Sequence, residues 1–145
     1  MKIALERVNT DYLFEVVNQS GHRVFLDNKS KTKGTVKGIS PMELLLMGLA
    51  GCSSIDIVSI LDKQKISPAS LKMEVNGKRI EGEIPSLFKK IDVIVFIEGD
   101  IPASKIKRAV DLSFEKYCSV SKTLESSAEI NYKIFLNNIE IWILK

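Results

Sequence analysis

Residues 40–64 read SPMELLLMGLAGCSSIDIVSILDKQ and predict one long helix with a cysteine, Cys52, at its middle. Its start is marked three times over. Ser40 can cap, Pro41 fits the first helical position, where no N–H bond is needed, and Glu43 completes an S-x-x-E capping box. Ile66-Ser67-Pro68 ends it, because the residue before a proline avoids helical geometry. Leu45, Gly48, Leu49, Ile55, Asp56 and Ser59 share the face of Cys52, while Met47, Ile57, Val58 and Leu61 point elsewhere and are also apolar. A helix apolar on so many sides belongs in a core or an interface. Gly48 and Gly51 each weaken it by roughly 1 kcal/mol relative to alanine. The expected return is close approach of another element beside the thiol.

Outward from this helix the pattern changes. Upstream, residues 2–8 and 11–17 are strand-like and are separated by the turn-prone pair Asn9-Thr10. A second turn at Asn18-Gln19-Ser20-Gly21 leads to a short strand, 23–26, giving three strands in an antiparallel meander. Residues 27–38, DNKSKTKGTVKG, form a polar, lysine-rich loop, which is expected to be a solvated surface segment. Downstream, the period becomes two: Leu71, Met73 and Val75 alternate with Lys72, Glu74 and Asn76. Residues 89–97, KKIDVIVFI, are apolar on both faces, as in a central strand, and pair with the preceding strand as sequential strands usually do. Pro102 opens a second helix, expected to reach Tyr117 or Cys118, with Ile106, Ala109, Val110, Ser113 and Tyr117 on its inner stripe. A last strand follows at 128–136. The tail, 138–145, alternates isoleucine with other residues; the sequence leaves open whether it pairs within the chain.

Composition limits the classes of function. A chain of 145 residues, 45% hydrophobic and 27% charged, is a single globular domain, 1–145, large enough for its own core. A net charge of only +3 gives no case for nucleic acid. Glu6 and Arg7 interrupt what a secretory leader would need, and Glu43 and Asp56 fall within the most apolar stretch, so neither a signal peptide nor a membrane span is expected. The expected location is cytoplasmic, where thiols stay reduced. Cys52 and Cys118, far apart in sequence, match no zinc spacing, and His22 is the one histidine; neither metal nor cofactor is expected.

Local sequence offers little to make either thiol reactive. Cys52 is mid-helix, beyond reach of the helix dipole, and Asp56 one turn on opposes a thiolate. Cys118, at the end of the second helix, faces a partial negative charge. Read on their own, the two cysteines are small buried hydrophobes.

Taken together, SPMELLLMGLAGC on the first helix and KYCSVSKTL after the second closely resemble the OsmC/Ohr family, particularly its YhfA-like branch. The resemblance runs over essentially the whole chain. It implies an α+β fold, an antiparallel sheet of about six strands with one long central helix and a second helix, forming an intertwined homodimer. It also implies thiol-dependent reduction of small organic hydroperoxides. Cys52 matches the thiol that attacks the peroxide, and Cys118 matches the resolving thiol, closing a disulfide that an external dithiol reduces.

Family members hold the thiolate with an arginine and the arginine with a carboxylate. Here Met42 stands where that glutamate is usual and Glu43 follows one residue later, a rotation of about 100°; Ser119 stands where proline usually follows the second cysteine. Glu43 is the candidate supporting residue, and Arg7 and Arg23 are the candidate cations. Two other readings fit the same residues: a non-catalytic protein binding a small apolar ligand at the dimer interface, and a thiol redox sensor.

Overall fold

The structure, a computed structural model, describes residues 1–144. Its backbone forms two compact units that meet within the long helix, after Leu45.

The first unit is an antiparallel meander of β1 (Ile3–Arg7), β2 (Phe14–Asn18) and β3 (Arg23–Leu26). The second strand starts later than its sequence suggests. Asn9 Oδ1 accepts the N–H groups of Asp11 at 2.9 Å and Leu13 at 3.2 Å, which extends the turn to the edge of Phe14. The lysine-rich loop is more than a solvated segment. It is built around the carboxylate of Asp27, which is almost fully buried. That carboxylate accepts the N–H groups of Asn28 at 2.7 Å and Lys37 at 2.9 Å, and the Thr32 hydroxyl at 2.5 Å. The Lys37 N–H, followed by the Thr32 hydroxyl, holds the Asp27 carboxyl below the usual carboxylate range.

The long helix, α1 (Pro41–Asp62), begins in this unit with the expected capping box. Ser40 Oγ accepts the Glu43 N–H at 3.2 Å, and Glu43 Oε2 accepts the Ser40 N–H at 2.9 Å.

The second unit carries the rest of α1, then β4 (Ser70–Arg79), β5 (Phe88–Glu98), α2 (Ala103–Leu112), a π-helical turn (Ser113–Tyr117), α3 (Ser119–Leu124), β6 (Glu129–Leu136) and β7 (Ile139–Leu144). Its sheet has the order β4-β5-β6-β7. The fold is α+β, as expected, but the sheet is not wholly antiparallel and the strands number seven, in two sheets, rather than about six. Strands β5 and β6 run parallel, from Lys90↔Glu129 to Ile97↔Leu136. Parallel neighbours need a crossover of a dozen or more residues, and α2, the π-helical turn and α3 supply it. The tail pairs within the chain, antiparallel to β6. Lys107 Nζ on α2 lies 3.7 Å from the centre of the Trp142 ring on β7, a cation–π contact that fastens this edge.

The central position of β5 follows from its sequence. Phe88, Ile91, Val93, Val95 and Ile97 are buried on one face, while Asp92, Ile94 and Phe96 are half-buried on the other. Phe96 is not left bare, because its ring stacks on Phe135 at 5.3 Å. On α1 the buried residues are Leu49, Ser53, Ile57 and Leu61, one every fourth position. By length and composition α1 is apolar enough to cross a bilayer. One stripe of it is buried within the chain and packs towards β4: the Ser53 hydroxyl lies 3.4 Å from Met73 Sδ. Gly77 is where this packing is tightest, since a Cβ there would fall 2.5 Å from the Phe88 ring.

Candidate functional site

The second helix does not run through to Cys118 as its sequence suggests. α2 stops at Leu112, and the next turn is π-helical, closed by the Cys118 N–H on the Ser113 carbonyl at 2.8 Å. The extra residue in a π turn rotates the chain beyond it, and such turns are frequent at functional sites. Cys118 itself is extended, with φ −69° and ψ 101°, and it caps α3. Its sulfur accepts the Ser121 N–H at 3.4 Å. The Cys118 thiolate is disfavoured, as expected, but chiefly by burial, because the sulfur faces the N–H groups of a new helix as well as the end of the old one.

The break aims Cys118 at α1. Cys52 Sγ, a carboxylate oxygen of Asp56 and Cys118 Sγ all lie within 4.8 Å of one another. Cys118 is wholly buried, and Cys52 and Asp56 are half-buried. Ser113 joins the same cluster. Its hydroxyl is 3.3 Å from the Ser53 carbonyl oxygen and 3.4 Å from Asp56 Oδ2, with one proton to donate between them.

Burial is the main reason the Cys118 thiol is pushed up to about 11; the Ser121 N–H pulls the other way, and Cys52 and Asp56 push with the burial. The unfolded chain releases this proton near the ordinary thiol value of 9.0, while the folded chain keeps it. The native state is therefore favoured below that value and loses the advantage as the pH rises towards 11. The expected result is a urea midpoint that falls across this alkaline window, and falls less steeply in Cys118→Ala.

The glycines beside Cys52 open rather than crowd its surroundings. A Cβ at Gly51 would meet nothing within 4 Å, and one at Gly48 would meet Val120 Cγ1 at 3.9 Å, an ordinary contact. The close approach expected from these glycines is absent from the described residues. The approach to Cys52 comes from the Cys118 side.

The candidate auxiliary residues hold local partners in the first unit. Glu43 combines its capping role with an ion pair to Lys29 Nζ at 2.6 Å. Lys29 first, then the Ser40 N–H, hold its carboxyl below the usual range. The Arg7 guanidinium donates to the carbonyls of Asp11 at 2.8 Å and Thr10 at 2.6 Å. Arg23 pairs with Glu15 at 3.0 Å. Within the second unit no cationic side chain bonds to Cys52, Asp56 or Cys118 among the described residues.

Sequence reasoning placed Asp56 on the face of Cys52 but gave it no part in the site, and it missed Ser113 as a site residue. The helical period was the available signal for Asp56. Nothing in SFEKYC announces the π turn that brings Ser113 and Cys118 in.

A family model described as "OsmC-like protein" matches residues 33–133, which include both cysteines. Protein YhfA of Escherichia coli K12 is 40% identical over 114 residues, covering 78% of this chain and 81% of that protein. The crystal structure of an OsmC-like protein from Mycoplasma pneumoniae superposes with a TM-score of 0.79 at 24% identity, over 93% of this chain and 95% of its own. The organic hydroperoxide resistance protein OhrB of Bacillus subtilis shares the fold at a TM-score of 0.63 and 18% identity, over 94% and 96% of the two chains.

Proposed function

The chain belongs to the OsmC-like family, and from that membership we propose that it is a cytoplasmic, homodimeric thiol peroxidase acting on small organic hydroperoxides. The observation that carries this reading is the convergence of Cys52 and Cys118, from separate elements, to within 4.8 Å. The half-buried Cys52 is the attacking thiol. Its thiolate takes the distal oxygen of the hydroperoxide, the O–O bond breaks, and the alkoxide leaves as the alcohol after gaining a proton. Cys52 is then a sulfenic acid. The Cys118 sulfur attacks that sulfur, its proton joins the departing hydroxide as water, and a Cys52–Cys118 disulfide remains. An external dithiol reduces it by exchange.

The sulfurs must close to about 2.05 Å for that bond, one from the middle of α1 and the other from the extended residue that caps α3. Attack by Cys52 needs a cation to hold its thiolate. Arg7 and Arg23 are the candidates for that cation, with Glu43 as the candidate carboxylate in support. The exposed apolar side chains of Met47, Ile55 and Val58 on α1 support the dimer.

One equivalent of an organic hydroperoxide, added to the reduced protein, should yield a Cys52–Cys118 disulfide in peptide mass maps. A protein that consumes the peroxide without that crosslink, or leaves it unconsumed, is not an enzyme of this kind.

A further inference from the structure

We propose that the reduced protein binds a soft divalent metal ion through Cys52 Sγ, Cys118 Sγ and the Asp56 carboxylate. The three donors already lie within 4.8 Å of one another. In a tetrahedral site with metal–sulfur bonds of about 2.3 Å, two sulfurs sit about 3.8 Å apart. Closing from the observed arrangement takes at most about an ångström of movement between the sulfurs. Two sulfurs and one oxygen select zinc or cadmium over magnesium or calcium, whose sites are built from oxygen alone. Three protein donors leave a fourth position for water.

The groups behind these donors are those a metal site needs. The Ser113 hydroxyl lies 3.4 Å from Asp56 Oδ2, and the Ser121 N–H points at Cys118 Sγ from 3.4 Å. Such partners orient ligands and are worth 10- to 100-fold, roughly, in metal affinity. Cys52 and Asp56 are half-buried while Cys118 is buried, so the ion enters from the side of the first two and Cys118 closes the site from within. On coordination each thiol releases its proton to solvent. The dication then offsets three negative donors that no cationic side chain of the second unit meets among the described residues. Zinc-knuckle spacing could not reveal this site, because its donors come from α1 and from the break before α3 rather than from one short loop.

The proposal needs only reduced thiols and does not rest on hydroperoxide reduction. The two chemistries exclude each other at any one moment, since both use the same pair of sulfurs.

The test is a titration of the reduced, full-length protein with cadmium ion alone, under anaerobic conditions and without peroxide, following the near-ultraviolet thiolate-to-cadmium absorption. The band is expected to saturate at one equivalent per chain. Cys118→Ser, which removes a thiolate ligand, should weaken binding by more than the roughly 10- to 100-fold that loss of an orienting partner costs, and Asp56→Asn by at least about 10-fold. Cys52→Ser, at a half-buried position that tolerates the change, should lose the band as Cys118→Ser does, so a folding defect in the buried variant leaves the test intact. Absence of the band at stoichiometric cadmium overturns the proposal. So does undiminished binding in Cys118→Ser, which would mean Cys52 alone takes the ion, or in Asp56→Asn, which would remove the carboxylate from the site. Because no peroxide is present, failure here leaves the peroxidase reading standing, and failure of the disulfide experiment leaves this one standing.

Discussion

Cys52→Ser is expected to lower the rate of organic hydroperoxide consumption by at least about a thousand-fold, the order seen when an enzyme loses its nucleophile. A serine hydroxyl neither ionises near neutral pH nor attacks an O–O bond, so the residual rate should be that of the dithiol alone. Cys118→Ser should behave differently. Its Cys52 can still take one oxygen from the first equivalent of hydroperoxide, but no disulfide can close. The chain should stall as the sulfenic acid and pass to the sulfinic acid under excess peroxide. Mass spectrometry separates the outcomes: one added oxygen on Cys52 in the Cys118 variant, none in the Cys52 variant, and a disulfide in the parent chain. Turnover in Cys52→Ser equal to that of the parent would remove Cys52 as the attacking thiol. Unimpaired turnover in Cys118→Ser would show that resolution comes from the external thiol instead. The placement of Cys118 Sγ within 4.8 Å of Cys52 Sγ argues against that second result, since its thiol already stands beside the sulfur to be attacked.

What the sequence disclosed and what it withheld divide along physical lines. The start of α1 was legible because Ser40, Pro41 and Glu43 act on one another within a single turn, and the structure shows both bonds of the capping box. The central place of β5 was legible because Ile91, Val93, Val95 and Ile97 fill one face with apolar side chains and Ile94 and Phe96 carry the apolar pattern onto the other. The parallel pairing of β5 with β6 was not, since strand direction depends on where a long crossover returns, and no residue in either strand encodes it. The interruption before Cys118 was hidden for a related reason. Ser113 to Tyr117 has the composition of ordinary helix, and cysteine is not among the residues that usually announce a cap. The consequence for the candidate site is specific. Helical period alone put Asp56 beside Cys52, but only the π turn and the new helix start bring Cys118 and Ser113 to the same place. Asp27 shows the same limit in the lysine-rich loop, where charge composition suggested a solvated surface and one buried carboxylate organises the segment.

Ile134→Ala is expected to cost about 3 kcal/mol, within the roughly 2–5 kcal/mol found when a buried isoleucine is truncated. Ile134 is fully buried at the middle of β6 and stands level with Val95 of β5 and Trp142 of β7. Its side chain therefore serves both the parallel and the antiparallel ladder, and the void left by truncation lies where neither strand can shift without breaking the other's register. Against a typical total of roughly 5–15 kcal/mol, that loss should lower the urea midpoint markedly while leaving the slope unchanged. Ile139→Ala is the matched control. Ile139 is 68% exposed on β7, and a surface truncation of this kind changes stability by about 0.5 kcal/mol or less. Equal losses at the two positions would mean that Ile139 is covered in solution, as it would be if a second copy of the chain packs against this edge. An Ile134→Ala chain as stable as its parent would contradict the register of β6 between its two neighbours, and with it the crossover that carries Cys118 to the site.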